Sequence, residues 1–140
     1  MGQTRERMDP RRAGAGAVTG LPLVLLRSEG LALLVMAVAL YARSDSSWLL
    51  FAILFLAPDL GMLGYVKNTR LGALTYDLLH TYVPPAALGL AGVGLDVDWM
   101  AAVALIWFAH IGADRMLGYG LKYPTSFGHT HLGVIGRAER

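Results

Sequence analysis

The chain has 140 residues, of which 55% are hydrophobic and only 16% charged, with a mean hydropathy of +0.49. That length suits one domain, and that balance excludes an average soluble one, in which about 25% of residues are charged. There is no cysteine, which excludes disulfides and thiolate metal sites, and the net charge of +2 comes without an aromatic-studded basic stripe, so no nucleic-acid partner is expected.

Residues 1–20 are charged, then small and Gly/Ala-rich, and read as a flexible basic tail. Glu6 stands where a myristoylation motif wants Ser or Thr. A first apolar span is expected over Leu21–Ala42, interrupted early by Arg27-Ser28-Glu29. Leu40 and Tyr41 lie where a signal peptidase would need small residues, so this is read as a retained span. The second span is expected over Trp48–Val66 and contains Pro58-Asp59. The third covers Leu71–Leu95, where Pro84-Pro85 predicts a kink or helix end and the Gly-rich stretch to Gly94 predicts irregular backbone. The fourth covers Trp99–Leu121. A short basic tail, 135–140, follows.

Each span is near the ~20 residues that a helix needs to cross a bilayer. Backbone groups in hydrocarbon must pair internally, which selects helices. The expected fold is therefore all-α, a four-helix transmembrane bundle occupying residues 21–134. Arg5, Arg7, Arg11 and Arg12 precede span one, Lys67 and Arg70 separate spans two and three, and Lys122, Arg137 and Arg140 follow span four. The other two loops hold only Arg43 on one side and no basic residue on the other. The asymmetry predicts an integral protein of the cell membrane with cytoplasmic N- and C-termini.

With that orientation, Glu29, Asp59, Asp77 and Asp114 all fall roughly 10–12 Å inside the cytoplasmic end, and His80 and His110 one turn deeper. Charge in hydrocarbon is costly, and such residues usually face the bundle interior. His110 and Asp114 are four apart and share a helix face, as do Asp77 and His80 at three apart. Two facing helices that each offer a carboxylate and an imidazole resemble metal sites built inside bundles. Asp77, His80, His110 and Asp114 are the candidate ligands, with Asp59 a fifth ligand or a catalytic base. Nitrogen and oxygen donors suit zinc, iron or manganese. Two other readings of the same residues stand beside this one: a polar core in which Arg115 or Arg27 neutralises the carboxylates, and a proton or ion path. Arg115, Lys122 and His131 are candidates for holding an anionic lipid or amphiphile at the pocket mouth. Glu29 is expected to join the pocket or to pair with Arg27.

The runs Pro58-Asp59-Leu60-Gly61-Met62-Leu63-Gly64-Tyr65 and Tyr76-Asp77-Leu78-Leu79-His80 resemble a known family, as do the stretch from His110 to Tyr123 and the closing Thr130-His131-Leu132-Gly133. It is domain-of-unknown-function family 4260, small and mostly bacterial integral membrane proteins, and the resemblance covers residues 25–134. It implies an inner-membrane location and supplies no activity. A fainter likeness links the helical bundle and its Thr-His to membrane-bound metal-dependent hydrolases, whose fuller His-rich loop this chain lacks. The expected function is a metal-assisted hydrolase of a lipid or amphiphile, with Asp59 activating a metal-bound water. The alternative is a non-enzymatic bundle for transport, proton relay or interaction, whose polar cluster is structural.

Overall fold

A computed structural model describes residues 15–136. Helix α1 spans Gly20–Tyr41, α2 spans Trp48–Phe55, α3 Thr69–His80, α4 Val83–Leu95 and α5 Asp98–Leu117. A 3₁₀ segment, Ala57–Val66, continues α2, and α4 follows α3 after a two-residue break. The helices therefore group into four segments, Gly20–Tyr41, Trp48–Val66, Thr69–Leu95 and Asp98–Leu117, each long and apolar enough to cross a membrane. This is the expected four-helix transmembrane bundle. Its outer faces expose large apolar side chains along the spans, such as Leu49, Ile53, Leu90 and Val93, as lipid contact requires.

The fourth segment, α5, is the central one. It packs against α1, α2 and α4. The α1–α5 crossing is set by a reciprocal glycine pair. A Cβ on Gly30 would lie 2.6 Å from Met116 N and 2.8 Å from Gly112 O, and one on Gly112 would lie 2.7 Å from Leu34 N. Only hydrogen at both positions lets the backbones approach this closely. Near the other end of α5, Ala102 and Ile106 bury Tyr41, flanked by Phe51 and Phe55.

The 3₁₀ segment departs from the continuous α-helix expected over Trp48–Val66. Pro58 removes one α-helical donor, and three residues per turn align every third position. One row is Pro58, Gly61 and Gly64. A Cβ on Gly61 would lie 2.8 Å from Thr75 O, and one on Gly64 would lie 2.9 Å from Leu71 O, so this row presses on α3. Thr75 Oγ1 donates to Gly61 O at 2.6 Å. In the adjacent row, Asp59 and Met62 are thereby turned toward the pocket, while the Tyr65 ring lies over Gly72 of α3.

The expected kink in the third segment is present, and it lies just before the prolines. His80 ends α3, and Thr81 is extended. Pro84 and Pro85 then occupy the first turn of α4, where their missing donors cost little. The expectation of irregular backbone to Gly94 is corrected: α4 runs unbroken to Leu95. The break leaves carbonyls without helical partners, and α5 supplies substitutes. Trp107 Nε1 donates to Leu79 O at 2.7 Å, and an Arg115 Nη donates to His80 O at 3.0 Å.

Helix α5 stops at Gly118, in the left-handed region at φ 93°. Gly118 N donates to Arg115 O and Tyr119 N to Asp114 O, a Schellman closure. The chain then folds back as a two-stranded hairpin, His129–Thr130 with Gly133–Val134. Ala15–Val18 lie against it: Val18 N donates to His131 O at 2.8 Å, and Tyr123 Oη to Gly16 O at 3.1 Å. This part of the expected N-terminal tail is thus held on the C-terminal loop.

Candidate metal centre

Asp59, His80, His110 and Asp114 each offer one donor atom, and these four atoms lie within 4.8 Å of one another. His80 Nε2 is 3.1 Å from His110 Nε2, 3.5 Å from Asp59 Oδ1 and 3.3 Å from Asp114 Oδ2. His110 Nε2 is 3.5 Å from Asp59 Oδ1 and 3.6 Å from Asp114 Oδ2. Donors at ~2.0–2.1 Å from one tetrahedral ion stand about 3.3–3.4 Å apart. Five of the six donor separations fall close to that edge.

Local structure aims each donor. Trp107, His110 and Asp114 recur at helical spacing along one face of α5. His80 closes α3 and is 1% exposed; His110 is 3% exposed. His80 Nδ1 lies 2.8 Å from Tyr76 O. A carbonyl only accepts, so Nδ1 carries the hydrogen, and Nε2 presents its lone pair to the cluster. The Tyr76 ring stacks on the His80 ring at 3.6 Å, and its hydroxyl donates to Asp114 Oδ2 at 3.1 Å. One tyrosine therefore orients two of the four donors. The Phe55 ring packs edge-on against His110, whose Nδ1 is buried without a hydrogen-bond partner among the described residues.

Arg115 does not pair with the carboxylates of the cluster. Two carboxylates converge on two buried imidazoles. Arg115, which could neutralise them, gives its guanidinium to His80 O and to Tyr119 O at 3.1 Å instead. The carboxylates are part-exposed, Asp59 at 37% and Asp114 at 16%, and among the described residues the nearest free cation is the Lys122 ammonium across the adjoining cavity. Two imidazole nitrogens and two carboxylate oxygens so placed could hold a divalent ion.

A cavity of about 320 Å³ adjoins the cluster on the loop side, lined by Asp59, Tyr76, Asp114 and Lys122 among others. Lys122 is 5% exposed. Its ammonium donates to Phe127 O at 2.8 Å and lies 3.8 Å from the Phe127 ring centre and 4.8 Å from that of Tyr76. Burial lowers its pKa, against the pull of Asp114, Asp77 and Asp59.

The other candidate residues lie elsewhere. Asp77, expected among the ligands, stands outside the cluster, and its Oδ1 accepts the Lys122 backbone N–H at 2.7 Å. Asp59 occupies the position expected for Asp77. His131, expected at a head group, accepts the Leu121 N–H on Nδ1 at 2.8 Å and so closes the C-terminal loop. Burial, and after it the Arg115 guanidinium, lowers its pKa. His129 bonds Thr125 and Ala15 O. Glu29 is exposed on α1, and Arg27 donates to Met116 O, so neither the shared pocket nor the Arg27 pairing expected for Glu29 is found among the described residues. Tyr76 is a site residue beyond those expected, and its signal in the sequence is its place four before His80, on the same helix face.

A family model described as a domain of unknown function, DUF4260, matches residues 23–135. No curated protein and no solved structure matches the chain.

Proposed function

Because the chain belongs to the DUF4260 family, whose description assigns no chemistry, its function has to come from the site, and we propose a divalent-metal centre serving hydrolysis of a membrane amphiphile. The observation that carries this reading is the convergence of the four donor atoms, 3.1–3.6 Å apart for five pairs and within 4.8 Å for the sixth. His80, His110 and Asp114 are the inner ligands. Asp59 is the exchangeable donor, because its side chain is 37% exposed and lines the cavity. It doubles as the base that takes a proton from the attacking water. A bound divalent ion would polarise the scissile carbonyl and acidify that water. Lys122 holds an anionic group in the cavity, with its position fixed by Phe127 O. Zinc, iron and manganese all suit two imidazoles and two carboxylates. The protein sits in the cell membrane with both ends cytoplasmic, which the basic-residue asymmetry supports.

A metal-free polar core is the competing reading, and one contact favours it. His110 Nε2–H can donate to the His80 Nε2 lone pair across their 3.1 Å separation, which satisfies both nitrogens without an ion. Elemental analysis of protein purified in mild detergent separates the two. Near-stoichiometric metal is expected in the wild type and in Asp77→Asn, with strong loss in His110→Ala and a smaller loss in Asp59→Asn. Wild-type protein that stays metal-free after incubation with zinc, iron(II) and manganese refutes the metal centre.

A further inference from the structure

A second cavity of about 240 Å³ is lined by Leu54, Ala57, Pro58, Leu79, Val103 and Trp107, and it presents almost only apolar surface. Pro58 and Leu79 are the chain neighbours of the donors Asp59 and His80. On α5, Val103, Trp107, His110 and Asp114 recur at spacings of four, three and four, so they form one stripe on one helix face. Along that stripe the order is apolar groove, donor cluster, polar cavity. At ~1.5 Å per residue, Val103 lies about 10 Å from His110 along α5, toward its N-terminal end and still within the span. The lining residues come from segments that cross the membrane, so the surroundings of the groove at this depth are hydrocarbon. Trp107 is fixed at the groove wall by its bond to Leu79 O.

We infer that this groove is the acyl-chain site of the proposed centre, and that the substrate is an acyl ester or amide whose chain lies in the membrane while its polar head enters the Lys122 cavity. The inference rests on the metal reading and adds the substrate class to it. The donor cluster stands between chain and head, at the level of the acyl carbonyl. Hydrolysis there breaks the acyl C–O or C–N bond. Water supplies hydroxyl to the acyl carbon and a proton to the departing oxygen or nitrogen, giving a fatty acid and a polar alcohol or amine. A polar cavity on one side and an apolar groove on the other match the two ends of such a molecule. A phosphate diester cut on the head-group side would leave the groove without a role in positioning the reacting bond.

Alkyl hydroxamates test the inference, because the head chelates a metal and the chain reports on the groove. Acetohydroxamate and dodecanohydroxamate are titrated into zinc-loaded protein in dodecylmaltoside, wild type beside Val103→Phe, with zinc content measured on the same preparations. Both proteins face the same micelles, so chain partition cancels in their ratio. The expected result is equal acetohydroxamate affinity in the two proteins and about tenfold weaker dodecanohydroxamate binding in Val103→Phe, as if roughly two methylenes were driven from the groove. Leu54→Phe, on the α2 wall, gives the same comparison should Val103→Phe not fold. Equal ratios for both hydroxamates, with zinc content intact, overturn the acyl-chain site and leave the metal centre standing. A wild type without zinc overturns the centre and the inference with it.

Discussion

Removing the Tyr76 hydroxyl should weaken metal binding without dismantling the bundle. Tyr76→Phe keeps the ring that stacks on His80 and the carbonyl that holds His80 Nδ1. It deletes only the 3.1 Å bond to Asp114 Oδ2. A hydrogen bond to a charged group contributes about 1.5–3 kcal/mol, equivalent to roughly ten- to 150-fold in an equilibrium. The low end applies, because the Asp114 side chain is 16% exposed beside a cavity and water can replace the lost donor. The remaining effect is orientational: a freed carboxylate must be ordered again when the ion binds. Outer-shell changes of this type typically cost about 10–100-fold in metal affinity. Zinc is titrated into chelator-stripped protein in detergent against a competing chelator, and thermal unfolding by circular dichroism checks the fold. A tenfold or greater loss of affinity is expected in a protein that still folds, with its metal-free melting point lowered by only a few degrees. Affinity within twofold of wild type would refute the claim that Tyr76 orients a ligand.

Three further outcomes follow from other parts of the molecule. Gly30→Ala should lower stability by about 1–3 kcal/mol through overpacking, since its Cβ would meet the backbone at Met116 N and Gly112 O, which cannot rotate away; unfolding in mixed detergent with rising dodecyl sulfate measures it, and an unchanged midpoint would contradict the close crossing. His131 is held neutral in the fold, so below its ordinary value of about 6.5 the unfolded chain binds the extra proton first. Its contribution is therefore full above that pH and is lost as pH falls toward the lowered folded value. Amide exchange at Leu121 and His131, corrected for intrinsic rates, should quicken over that window in the wild type and not in His131→Gln, and constant protection counts against it. A periplasm-active reporter should be active when fused near Asp45 or Asp96 and silent after Asn68 or Arg140; activity after Arg140 would mean that one segment does not cross.

The helical segments were legible because hydrocarbon imposes a length and a composition that few soluble segments share. Span ends at Trp48, Val66 and Leu95 coincide with the expected ones. The break near Pro84 was legible from proline chemistry, but its register was not. Proline is equally at home one residue inside a new helix, and the repair by Trp107 and Arg115 comes from a segment far along the chain. The 3₁₀ geometry of Ala57–Val66 depended on how closely Gly61 and Gly64 meet α3, which a single span does not encode.

The sequence by itself determined the membrane class, four helical segments long and apolar enough to cross, and the restriction to nitrogen and oxygen donors. Periodicity along α5 also put His110 and Asp114 on one face. Only the tertiary structure decided which carboxylates meet them. Depth along a helix says how far a residue lies from the membrane edge, not toward which neighbour it turns. Asp77 and His80 are three apart, yet Asp77 turns to the Lys122 amide while His80 turns to His110. Asp59 reaches the cluster because the three-residue period rotates its row away from the Gly61–Gly64 contact. The azimuth of each helix is set by interlocking glycines and by the carbonyls left at a break, and those are properties of pairs of segments rather than of any one.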